Sequence, residues 1–189
     1  MADTMITGGN IANVERIKVV TIETTPKTYV IETATDLGFT PAVSAGAEQE
    51  LRVKNTVLGT LRTEDIVKGY DITFTDSLLH TQILALVDGG AVTGTPGETG
   101  ETYTAPVAGS PVSRTKFDLH AYTSDRDTDG EAIGYHDWMF PACKGKPVKG
   151  SVKDGEFANV PYEIASRPAN GVSPMTMQRI EALPSTTTT

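Results

Sequence analysis

The sequence predicts an all-β fold, a sandwich or barrel-like domain with one flanking helix. Three observations carry this. Short runs alternate apolar and polar residues with a period of two. Gly, Pro, Asp and Asn punctuate them. A single segment instead spaces its apolar residues by three and four. Alternation with one polar face marks half-buried strands, and about eight such runs in one chain point to a sandwich or barrel.

In chain order, Val14 to Ile22 is rich in β-branched residues, and Thr28 to Ala34 sets Tyr29, Ile31 and Thr33 against Val30, Glu32 and Ala34. Glu50 to Val57 alternates Leu51, Val53 and Val57 with Glu50, Arg52, Lys54 and Thr56. Ile66 to Thr75 places Ile66, Tyr70, Ile72 and Phe74 on one face, with Asp71, Thr73 and Thr75 on the other. Further strands are expected at Thr115 to Thr123, Tyr135 to Phe140, Glu156 to Ser166 and Met175 to Leu183. Ser77 to Val87 reads as an amphipathic helix of about three turns, with Asp76 or Ser77 as N-cap and Asp88-Gly89-Gly90 as its stop. Its apolar face should close one end or side of the β structure. Asp36 to Ala47 reads as loop, and Gly89 to Ser113 as a long Gly-, Pro- and Thr-rich loop, a length usually tied to function or to ordering on a partner. The expected layout is one domain over residues 1–184 and a frayed tail over 185–189.

Composition removes several function classes. The chain has 189 residues, 16 Lys plus Arg against 24 Asp plus Glu, and a net charge of -8. That length suits one domain with a sound core. One cysteine permits no intrachain disulfide and no Cys-rich zinc module. No stretch approaches the roughly 20 apolar residues of a membrane helix, and Met1 to Asn10 lacks the basic and apolar regions of a signal peptide. The acid excess argues against tight binding to a phosphate backbone.

Few motifs carry chemistry. Asp125, Asp127 and Asp129, followed by Gly130, match the first half of a calcium loop, but position twelve holds His136 where a bidentate Glu is needed. The flanks also read as strands, so an acidic hairpin turn is the simpler reading. His80, His120 and His136 form no HExxH pair, and no GxSxG elbow is present. Cys143 reads as a small buried residue. GTPGETG lacks the Lys-Ser/Thr of a phosphate loop. Lys144, Lys146, Lys149 and Lys153 form a basic cluster, either a solvated turn or a patch complementary to an acidic surface on another copy.

The block VKGYDITFTDSLLHTQILALVDGG (Val67 to Gly90) resembles the core of phage major tail proteins, which form the tail tube. So does the order that follows: FDLHAYTSDRD (Phe117 to Asp127), GYHDWMFPACKGKPVKGSVKDGEFA (Gly134 to Ala158) and YEIASRP (Tyr162 to Pro168). The resemblance runs from about Val14 to Leu183. The Gly89 to Ser113 stretch and the Thr-rich C-terminus are least tied to it.

The resemblance implies a non-enzymatic virion subunit of the tail-tube and hemolysin-coregulated-protein superfamily, made in the host cytoplasm and without a cofactor or membrane insertion. Such subunits form hexameric rings that stack into a tube, with inner sheets joined into one barrel. Implied partners are other copies, the tape-measure protein, the tail terminator and the baseplate or distal tail proteins. Double-stranded DNA passes as cargo without specific binding. Lumen candidates are Asp71, Thr73, Thr75, Asp118 and His120, since an acidic wall repels DNA within roughly a Debye length, about 8 Å; the alternative is that they face bulk solvent. Residues 36–64 are the candidate ring-stacking region. Leu37, Phe39, Arg52, Lys54 and Arg62, with the lysine cluster, are the inter-subunit candidates. A contractile-injection or type VI-like tube and a metal-binding or hydrolytic β domain are the alternative functions.

Overall fold

The computed structural model describes residues 9–185. The expected tail at 185–189 therefore lies outside the described residues except for Ser185. Twelve strands and one helix follow in the order β1 (Asn10–Thr21), β2 (Thr28–Ile31), β3 (Ala34–Ser44), β4 (Glu48–Val53), β5 (Thr56–Arg62), β6 (Ile66–Asp76), α1 (Thr81–Asp88), β7 (Ala91–Thr93), β8 (Thr102–Thr104), β9 (Phe117–Arg126), β10 (Ala132–Gly145), β11 (Val160–Ser166) and β12 (Thr176–Ile180). The fold is all-β with one helix.

One antiparallel sheet organises the domain, in the order β2-β1-β9-β10-β11-β6-β3. β10 is long enough to hold two neighbours along one edge: β12 against Tyr135 to Met139, and β11 against Cys143 to Gly145. The sheet curls until β3 packs near β1, but among the described residues no hydrogen-bonded ladder joins its two margins, so it is barrel-like without being closed. Its inner face carries the core: Ile17, Val19, Ile31, Ile72, Phe74, Phe117, Leu119, Phe140, Tyr162 and Ile164, each at most 2% exposed. Burying each large apolar side chain contributes about 1.5–3 kcal/mol.

Helix α1 seals one end through Ile83 and Val87. It is shorter than expected and starts at Thr81. Asp76 does not cap it. That carboxylate is fully buried and accepts hydrogen bonds from Thr33 Oγ1 and from the Leu78 amide at 3.2 Å. His80 occupies the N-cap without a side-chain bond, and Gly89 ends the helix in the left-handed region, φ 86°.

The region 36–64 departs most from expectation. Asp36 to Ala47, read as loop, is largely strand β3, paired with β6 from Ala34–Asp76 to Ser44–Ile66. Glu50 to Val57, read as one strand, is instead the tip of a β4–β5 hairpin that reverses at Lys54 (φ 56°) and Asn55. Gly89 to Ser113 is mostly irregular, with a small β7–β8 hairpin tied to the helix. There the Tyr103 hydroxyl donates to Asp88, and the Thr81 hydroxyl to Glu101.

Candidate functional site

The outward face of the sheet holds the lumen candidates. Strand alternation turns Asp71, Thr73 and Thr75 of β6 away from buried Ile72, Phe74 and Asp76. Their register neighbours on that face are Thr40, Gly38 and Asp36 of β3, and Ala165, Glu163 and Pro161 of β11. Asp71 is not a free acid. Its Oδ1 accepts hydrogen bonds from Lys146 Nζ at 3.2 Å and Arg167 Nη2 at 3.0 Å. Partial burial pushes its pKa up, but the hydrogen bonds and charges of Lys146 and Arg167 outweigh this and hold it below the usual carboxylate range.

Asp118 and His120 of β9 lie on the same outward side, with β10 and β11 between them and β6. Both have local work. Asp118 accepts the amide hydrogen of Ala142 at 2.9 Å, where β10 bulges between Phe140 and Cys143 and Ala142 takes a positive φ of 51°. His120 Nδ1 lies 3.0 Å from Asp137 Oδ1, and its ring stacks on Tyr122 with centroids 6.2 Å apart. Burial, then the Asp137 charge, pushes the Tyr122 phenol up to about 12. This face is therefore mixed in sign and ion-paired. The overall charge of -8 does not make it uniformly acidic.

The inter-subunit candidates fall into three places. Leu37 and Phe39 turn inward on β3. Leu37 packs against the core, and Phe39 joins an aromatic group with Tyr70, Trp138 and Phe140 at 5.3–6.1 Å between centroids. Arg52, Lys54 and Arg62 lie on the β4–β5 hairpin, where Arg52 pairs with Glu50 at 2.7 Å and Arg62 stands opposite Glu48. The lysine cluster spans the end of β10 and the loop after it. Lys146 pairs with Asp71, Lys149 with Glu163 at 2.7 Å and Lys153 with Glu156 at 3.4 Å, while Lys144 is exposed on β10.

The hairpin carries the feature least legible in the sequence. Its register puts Leu51, Val53 and Leu61 on one face, with Gln49, Gly59 and Thr56, and puts Glu48, Glu50, Arg52, Thr60 and Arg62 on the other, together with Val57 opposite Arg52. Leu58 bulges out between Leu51 and Arg52 of the facing strand. Leu51, Leu58 and Leu61 are 62–64% exposed, and every residue of both strands is exposed. The hairpin extends the β3–β6 ribbon past the core. Its base is fastened by Gly46 N–H to Asp65 Oδ1 at 2.8 Å and Ala47 N–H to Thr63 Oγ1 at 2.7 Å. At about 3.3 Å per residue the arm reaches roughly 20 Å.

No family model matches the chain. No curated protein matches it either. Among solved structures it is similar to a chain of the anti-feeding prophage baseplate, from a cryo-EM structure symmetrised six-fold, at 9% identity and a TM-score of 0.42, with 94% of this chain and 97% of that chain covered. A likeness this distant leaves the functional reading to the chain's own residues.

The remaining candidates are held by their surroundings. Asp127 Oδ1 accepts the amides of Asp129 and Glu131, the turn role of an Asx residue. Asp125 is buried, with Arg179 2.8 Å from its Oδ2. Among the described residues no group of three His, Cys, Asp or Glu side chains is placed to hold a metal ion. Cys143 is fully buried in the core, and burial, then the Asp118 charge, pushes its thiol up to about 12. Thr33, His80 and Asp76 meet, but His80 Nε2 faces both partners, at 3.5 and 3.4 Å. A nucleophile–base–acid relay needs the two ring nitrogens to divide those roles.

Proposed function

We propose that this chain is a structural subunit of a phage tail tube, which assembles as hexameric rings stacked on one another. The carrying observation is the β4–β5 arm: a two-stranded ribbon with Leu51, Val53 and Leu61 on one face and Glu48, Glu50, Arg52 and Arg62 on the other, uncovered on both by any other described element. A lone hairpin is marginal in water. Leu51, Val53 and Leu61 gain burial only against something outside their own subunit, and a second copy one ring away supplies it. Glu48, Glu50, Arg52 and Arg62 then set register between rings.

Free strand edges support the same reading. Among the described residues β2 and β3 end the main sheet with one side unpaired, and β12 is a short third edge. Unpaired edges invite pairing with another chain, and a closed ring of subunits removes them. In such a tube the ion-paired outward face would meet the lumen. Lys146 and Arg167, tethered to Asp71, are less available to DNA phosphates than free cations. The passing DNA, the tape-measure protein, and the terminator and baseplate or distal tail proteins at the tube ends belong to the same proposal, as does location in the virion.

Negative-stain electron microscopy of the purified chain over a concentration series tests this. Rings or hollow tubes are expected as concentration rises. A folded chain that stays monomeric at every concentration, by circular dichroism and sedimentation, overturns the reading.

A further inference from the structure

The chain has five asparagines, and four of them precede a β-branched residue: Asn10-Ile11, Asn13-Val14, Asn55-Thr56 and Asn159-Val160. Asn170 alone precedes a glycine, Gly171. The difference is chemical. A backbone amide nitrogen can attack the side-chain carbonyl carbon of the asparagine before it. A branched Cβ on the attacking residue crowds that approach, and glycine has no Cβ.

Asn170 and Gly171 lie in the connection between β11 and β12, and both are exposed. The Val172 amide donates to the Ala169 carbonyl at 3.1 Å and closes a turn around them. Gly171 stands third in that turn at φ 86°, as a type II turn requires. Among the described residues neither the Asn170 side chain nor the Gly171 N–H has a hydrogen-bond partner. A side-chain carbon built on Gly171 would meet nothing within 4 Å. Asp88-Gly89, at the end of α1, is the opposite case. Its carboxylate accepts from the Tyr103 hydroxyl and the Val148 amide, and its glycine N–H is bonded to the Ala85 carbonyl.

We propose that Asn170 is a deamidation site. The Gly171 nitrogen gives its proton to water or hydroxide and bonds to Asn170 Cγ. The Cγ–Nδ2 bond breaks, and Nδ2 takes a proton from water and leaves as ammonia. Water then opens the succinimide ring at either carbonyl carbon. One opening leaves aspartate, and the other leaves isoaspartate, with the main chain routed through the former side chain. Nothing is oxidised or reduced, and water is the co-reactant. One main-chain hydrogen bond must open to let the attack occur, in a segment that no other described element covers. Either product adds a negative charge to a chain of -8. The new carboxylate stands three residues from Arg167, whose guanidinium holds Asp71 at 3.0 Å.

Peptide mapping of the folded full chain tests this. The protein is held at mildly alkaline pH, sampled over time and digested, with a zero-time digest as background. Electron-transfer fragmentation separates aspartate from isoaspartate. The peptide carrying residue 170 should convert progressively to both products, faster at higher pH, while the other four asparagines stay intact. Gly171→Ala, compared with wild type after both are unfolded in urea so that turn strain plays no part, should slow the conversion about tenfold. An intact Asn170 when the experiment ends, or conversion no faster than at the other asparagines, overturns the site. Aspartate without isoaspartate overturns the attack by Gly171, because direct hydrolysis of the side-chain amide gives aspartate alone. Equal rates for Gly171→Ala and wild type overturn it as well.

Discussion

Gly145 of β10 lies directly against the main-chain carbonyl of Val87, the last buried residue of α1, so closely that a side-chain carbon there would overlap it. The contact fixes the helix on the end of the sheet, and backbone on both sides leaves little room to yield. Gly145→Ala should destabilise the domain by about 1–3 kcal/mol, as overpacking does, a fall of roughly 2–12 °C in Tm. Gly150 has open space around it, so Gly150→Ala is the matched control and should leave Tm unchanged. Equal melting of the two variants would refute the packing.

Asp76 makes a second, separable prediction. Both of its hydrogen bonds, from Thr33 Oγ1 and the Leu78 amide, go to Oδ1. Asp76→Asn keeps an oxygen there, whereas Asp76→Ala strands two donors, at about 1–3 kcal/mol for each one left unsatisfied. Denaturant unfolding should rank wild type above Asn and Asn well above Ala. An Ala variant as stable as Asn would remove the role assigned to that oxygen.

The limits of the sequence are visible in the same residues. Alternation located β6 and β9 because Ile72 and Phe74, and Phe117 and Leu119, point into one core without interruption. It missed β3 because Gly38 and Pro41 break the pattern around Leu37 and Phe39. It merged β4 and β5 because the Lys54-Asn55 turn lacks the Gly that usually marks a two-residue reversal. Asp76 looked like a helix cap, the usual role of an Asp at that point, but a residue 43 positions away takes its carboxylate. The pairing of Asp71 with Lys146 and Arg167, 75 and 96 positions distant, has no local signal at all.

Cys143 should resist alkylation. With its thiol held near 12 and the side chain buried, the folded protein offers almost no thiolate at pH 8, while an unfolded cysteine ionises near 8.5. Because the folded pKa lies above the unfolded one, the thiol favours folding below about pH 8.5. That contribution is lost as pH rises from there toward 12. Iodoacetamide labelling at pH 8 should therefore track unfolding in a urea series. Fast labelling without denaturant would contradict the burial.

Asp71 titrates in the opposite sense. Its folded pKa is lowered by Lys146 and Arg167, so the stability it adds is present above the unfolded value of about 3.9 and is lost as pH falls below it. Its side chain is 42% exposed, so solvent and salt screen the pair. The Tm difference between wild type and Asp71→Asn should be small at pH 7, shrink in high salt and vanish in strong acid. A difference that persists below the carboxylate range would assign the residue another role.

The arm gives the sharpest separation between folding and assembly. Leu51, Val53 and Leu61 are exposed, and among the described residues no other element covers them, so Leu51→Ser, Val53→Thr and Leu61→Ser together should leave the Tm of the monomer unchanged. If those side chains are buried between copies, each removes part of a contact worth about 1.5–3 kcal/mol per fully buried residue. The concentration at which rings or tubes appear should then rise more than tenfold, read by light scattering and electron microscopy. Glu48→Gln, which neutralises one of the four charges assigned to register, should raise the threshold less than the apolar triple variant does and weaken its salt dependence. If the apolar triple variant assembles like wild type, the arm is not the stacking element. If it loses stability as a monomer, its apolar face is covered within its own chain.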